Sequence, residues 1–94
     1  MNASEFAHYL IKNRGVAVVG KPDTLEVAKQ MVADGYLYQP MDKEMNEPIY
    51  SNGNPIFKVT TSGITYLATY LAHQPKEKMK ELVAAAQSEE VPKP

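Results

Sequence analysis

The chain carries few residues able to do bond-making chemistry. It has two histidines, His8 and His73, and no cysteine, so a thiolate nucleophile, a disulfide framework and a cysteine zinc site are all excluded. No serine sits in a Gly-x-Ser-x-Gly setting and no glycine-rich phosphate loop is present, which leaves neither a nucleophile elbow nor a nucleotide cradle. Asp42, Glu44 and Glu47 could gather a divalent cation, but their spacing matches no calcium loop and reads as a solvated hairpin tip. His8 flanks apolar neighbours and reads as a surface or boundary residue, not a metal ligand. The expectation is a protein that is not an enzyme and uses no metal or cofactor. What remains is recognition, by charge and by aromatic surface.

The charges argue about the partner. Asp23, Glu26, Lys29, Gln30 and Asp34 fall on the outward side of one helical segment and hold three acids against one base. Asp42, Lys43, Glu44 and Glu47 repeat that ratio in a loop. Each phosphate contact needs a cation that releases counterions, so two acidic surfaces remove the main source of nucleic-acid affinity. The net charge of −1 points the same way. A small basic set, Arg14, Lys21, Lys29 and Lys58 with the amide of Gln30 and with Lys12 beside Arg14, would carry contacts if DNA were the partner after all. On the closing helix, Tyr66, Tyr70 and His73 recur at intervals of four and three, offset from Ile64, Leu67 and Leu71. Tyrosine brings large area at low entropy cost, so this stripe is a candidate docking or dimer surface. Its bland alternative is packing beneath the C-terminal helix. Tyr36, Tyr38 and Tyr50 read as cross-strand packing.

These residues depend on a small set of elements. Ser4 as N-cap, then Phe6, Tyr9, Leu10 and Ile11, predicts a helix over 4–14. The β-branched run Val16 to Val19 predicts a short buried strand, released by Gly15. Asp23 with Glu26 has capping-box spacing, and Leu25, Val27, Ala28, Met31 and Val32 carry a second helix over 24–34, closed by Gly35 in a left-handed conformation. Tyr36 to Gln39 is a strand limited by Pro40, and residues 41–47 are a polar loop. Two extended runs flank Asn52-Gly53, whose tolerance of positive φ suits a tight hairpin. Thr61 or Ser62 caps a third helix bearing Ile64, Leu67, Ala68 and Leu71, and residues 76–87 form a fourth. The organisation expected is a domain over 1–74, an amphipathic helix over 75–88 that offers Met79, Leu82 and Val83 to a homodimer, and a disordered tail over 89–94. No apolar run approaches the roughly 20 residues of a membrane span, and the N-terminus lacks the charged region of a signal peptide. A cytoplasmic location is the simplest inference.

Helix, hairpin and helix in this order resemble the winged-helix superfamily. Phe57-Lys58-Val59-Thr60-Thr61-Ser62-Gly63-Ile64-Thr65-Tyr66-Leu67 looks like the wing strand and closing helix of prokaryotic winged-helix regulators. Ser4 to Ile11, Glu26 to Gln30, Asp34-Gly35-Tyr36-Leu37 and Asn52 to Val59 are similar to the DEP domain, a winged helix used for protein and membrane docking. The resemblance implies an α+β winged helix with a short first strand, a β-hairpin wing and an added C-terminal helix. It implies a binding protein: an adaptor or regulator that recognises another protein, or a homodimeric DNA-binding regulator. For the first, the expected contacts are Glu26, Gln30, Asp42, Glu44 and Glu47 as one acidic face, with Tyr66 and Tyr70 as anchors.

Overall fold

Alternation along one strand orients the whole sheet. In the computed structural model, which describes residues 1–87, β6 (Asn54–Val59) buries Phe57 and Val59 and leaves Lys58 between them half-buried on the other face. β1 (Val16–Val18) and β2 (Leu37–Tyr38) flank β6, both antiparallel, with Ala17 opposite Phe57 and Leu37 opposite Val59. Those four inward residues form one apolar layer. β5 (Tyr50–Ser51) pairs with the start of β6 around a two-residue turn, Asn52 at φ 52° and Gly53 at φ 83°, the geometry that Asn-Gly favours. Residues 41–47, expected as a loop, instead form a second hairpin of β3 (Met41–Asp42) and β4 (Glu47–Pro48). Its turn is held by the Asp42 carboxylate, which accepts the backbone N–H groups of Glu44 at 2.9 Å and Met45 at 3.2 Å.

Four helices cover this sheet: α1 (Ala3–Lys12), α2 (Pro22–Ala33), α3 (Thr61–Leu71) and α4 (Lys76–Gln87). The result is an α+β fold with small antiparallel sheets. The capping box lies on α1, not α2: Asn2 accepts from Glu5 N at 2.8 Å while Glu5 accepts from Asn2 N at 3.0 Å. Ser4 is therefore inside the helix. At α2, Pro22 occupies the first turn, where its fixed φ and missing N–H cost nothing, so the helix begins before Asp23. Lys21 is the N-cap without a side-chain bond. Asp23 turns instead to Thr24 N and to the Met1 ammonium, 3.0 Å away, and that ammonium holds its carboxyl below the usual carboxylate value.

α4 is part of the same core. It packs on α3, β6 and α1, and Leu82 is 0% exposed alongside Phe6, Leu10, Phe57, Val59 and Leu67. This corrects the expectation that Leu82 faces a second copy: the 82/86 stripe is spent inside the chain, while Met79 and Val83, at 38% and 37% exposure, flank it. Val32 likewise faces outward, because α2 buries the positions Thr24, Ala28 and Met31. The tail expected over 89–94 lies outside the described residues. Among the described residues, no helix is long and apolar enough to cross a membrane.

Two glycines separate conformational strain from steric exclusion. Gly35 has φ +83° with open space where a Cβ would stand, so Gly35→Ala should cost about 1 kcal/mol from backbone strain alone. Gly63 lies in the first turn of α3, where helix propensity by itself would favour alanine by about 1 kcal/mol. Its added Cβ would instead press on the Tyr36 carbonyl oxygen and stand 2.6 Å from Val59 Cγ2. Gly63→Ala should therefore destabilise more than Gly35→Ala in urea unfolding; a stabilised Gly63→Ala would contradict the close approach.

Candidate functional site

One threonine joins the elements that make the site. Thr60, at the end of β6, is the N-cap of α3: its Oγ1 accepts from Gly63 N at 3.0 Å and donates to the carbonyl oxygen of Gly35 at 2.5 Å. Its backbone N–H donates to Tyr36 O at 3.0 Å. On the other side, α2 closes with Gly35 N bonded to Val32 O at 3.0 Å and Tyr36 N to Met31 O at 2.8 Å, the paired bonds of a Schellman ending. The last turn of α2 and the first of α3 thus meet at one place. Neither Thr61 nor Ser62 is the cap, since both come after the residue whose backbone is still extended.

This junction brings Tyr36 against Tyr66 of α3. The rings stack with centroids 4.5 Å apart and planes 14° from parallel. Beside them lies a groove of about 340 Å³, floored by Val27 and Met31 of α2 and by Ala3. Its rim is a row on α2, Glu26, Gln30 and Asp34, each four residues from the next and so on one helical face. Gln30 Nε2 donates to Asp34 Oδ1 at 3.2 Å. Among the described residues, neither Glu26 nor Asp34 forms an ion pair. Burial pushes the Tyr66 phenol above its ordinary value, reinforced by Tyr70, Tyr36 and the negative charge of Asp34.

The residues expected to bind a partner divide into two groups. Glu26, Gln30 and Tyr66 converge on the groove. Tyr70 continues its aromatic wall, 6.2 Å from Tyr66, with His8 edge-on to it at 5.2 Å. The tyrosines do not lie beneath α4, whose Val83 and Ala86 border Thr61, Ile64 and Thr65 on a different flank of α3. Asp42, Glu44 and Glu47 sit apart on the β3–β4 hairpin, outside the groove lining, so the single acidic face expected from the sequence is two surfaces. That hairpin also exposes Met41 and Met45. Among the described residues, no three acidic or histidine side chains come together to hold a metal ion. In the basic set, Arg14 Nε reaches Glu81 Oε2 at 3.4 Å, Lys21 caps α2, Lys29 is exposed on α2, and Lys58 is half-buried in the sheet.

Two contributors were not singled out from sequence. From sequence alone Asp34 reads only as an outward charge and Tyr36 as cross-strand packing, whereas Tyr36 stands just outside β2 and stacks on a helix. The four-residue spacing of Glu26, Gln30 and Asp34 was visible; its placement opposite Tyr66 depends on the Thr60 junction. No protein-family model, curated protein or solved structure matches this chain.

The raised Tyr66 value has a definite sign in stability. The folded state holds the phenolic proton more tightly than the unfolded chain, so this contribution is intact below about pH 10 and is lost as pH rises through the folded value. Chemical unfolding across that range should show the loss, and Tyr66→Phe should flatten it. An identical alkaline decline in the variant would contradict the assignment to Tyr66.

Proposed function

We propose that this chain is a non-catalytic winged-helix-type binding protein that recognises another protein through the groove between α2 and α3. The observation that supports this most is the groove's composition: an apolar floor, a stacked pair of tyrosines and an acidic rim without internal counter-ions among the described residues. Such a combination is the chemistry of recognition sites, where aromatic anchors supply area and placed polar groups supply orientation. Among the described residues its polar lining consists of two carboxylates, an amide and two phenols, with no histidine, serine, threonine or lysine among them. The order α1, β1, α2, then an antiparallel sheet with hairpin turns, supports the winged-helix reading.

The protein-binding reading is favoured over DNA binding by electrostatics. The exposed face of α2 holds more acid than base, and Arg14 is engaged by Glu81 of α4. A phosphate backbone laid along the groove rim would meet Glu26 and Asp34, and no lysine or arginine lines that groove among the described residues.

A photocrosslinking residue at Gln30 should give a discrete partner adduct in cells that express the full chain, and the same residue at exposed Lys80 on α4 should not. Equal labelling at the two sites, or none at Gln30, would contradict the groove as the docking surface.

A further inference from the structure

We infer that the groove is built to take an arginine side chain of the partner protein, stacked against the tyrosine wall and paired with the carboxylate rim. The inference rests on the docking role proposed above and specifies the chemistry of the occupant.

Charge complementarity carries the argument. Glu26 and Asp34 stand two helical turns apart on α2, about 12 Å along the axis at 1.5 Å per residue. Gln30 lies between them and ties its amide to Asp34, which leaves the second carboxylate oxygen of Asp34 to accept from a ligand. Both carboxylates border an apolar floor, where a cation is less well screened than on open surface and attraction is stronger. A neutral apolar segment would satisfy Val27 and Met31 but would partly desolvate the two unpaired acids at a cost. An anionic segment would add repulsion.

The tyrosines distinguish between cations. Tyr36 and Tyr66 stack face to face, which leaves each ring one outer face and its edge, and the planar guanidinium stacks on such an outer face while offering several N–H donors in a fixed fork. An ammonium is a compact, strongly hydrated point charge, and gains less from such a wall. The methylene stem of arginine matches the Val27 and Met31 floor while its head stays at the rim. The volume of about 340 Å³ accommodates one such side chain with part of a neighbouring residue.

The test is an NMR titration of the full chain with the peptide acetyl-Leu-Arg-Leu-amide, its citrulline counterpart, which keeps shape and loses charge, and its lysine counterpart. The arginine peptide should shift the Tyr36 and Tyr66 ring protons and the Gln30 side-chain amide in a saturable way. The citrulline peptide should bind at least about tenfold more weakly, with lysine between the two. Glu26→Gln and Asp34→Asn, both exposed substitutions that leave the core untouched, should each weaken the arginine peptide while leaving the citrulline peptide unchanged. Equal affinity for arginine and citrulline peptides would overturn the inference and leave a groove that takes apolar segments. Absence of shifts with every peptide would also overturn it; the docking role itself is judged separately, by the Gln30 crosslink.

Discussion

The side-chain hydroxyl of Thr60 is the constraint on which the rest of the architecture depends. A hydroxyl can donate once and accept twice, and this one does both: it donates to the last carbonyl of the α2 closing turn and accepts from the first turn of α3. The bond from Gly63 N is buried, so water cannot replace it, while Gly35 at the other end is exposed. Loss of the hydroxyl would leave the buried Gly63 N–H unsatisfied, at roughly 1–3 kcal/mol. Three further features follow from the same point. Gly35 must be left-handed to turn the chain toward β2, Gly63 must lack a Cβ so that α3 can approach the Tyr36 carbonyl, and Tyr36 is thereby delivered onto Tyr66. The groove is a by-product of how two helices end and begin at one spot.

Electrostatics then decides what such a groove is suited to. The chain is nearly neutral overall, but its acids are segregated: Glu26 and Asp34 along the α2 rim, and Asp42, Glu44 and Glu47 on a hairpin with exposed methionines. Its ion pairs serve the fold elsewhere: Glu81 joins α4 to Arg14, and Lys78 pairs with Glu81 within α4. With the side chain of Arg14 78% exposed, that pair is worth little to stability. Unpaired carboxylates beside apolar surface and an aromatic stack are the features that bias the site toward a cationic group on a protein.

Local chemistry made much of the fold legible from sequence. Asn52-Gly53 specified its turn because two consecutive positive φ values suit few other residue pairs, and Gly35 closed α2 for the same reason. Helix faces followed from apolar spacing in α1 and α3. Caps were harder: Asn2, Lys21 and Thr60 cap where Ser4, Asp23 and Ser62 looked equally able, since several short polar residues compete near each helix start and tertiary packing selects among them. The burial of Leu82 was illegible for a related reason. An amphipathic helix shows that one face is covered without showing by what, and α4 is covered by its own chain. The site was half legible: Glu26, Gln30 and Tyr66 could be named, but their union with Tyr36 and Asp34 requires the contact between residues 35 and 60, which no periodicity encodes.

The central claim, that the Thr60 hydroxyl sets the tyrosine wall of the groove, is tested most directly by ring-to-ring nuclear Overhauser contacts between Tyr36 and Tyr66. Wild type and Thr60→Ser, which keeps the hydroxyl, should show strong contacts, and folded Thr60→Val should show them clearly weakened. Contacts of full strength in Thr60→Val would contradict the account, and the stacked wall would then have to be held by packing independent of the junction.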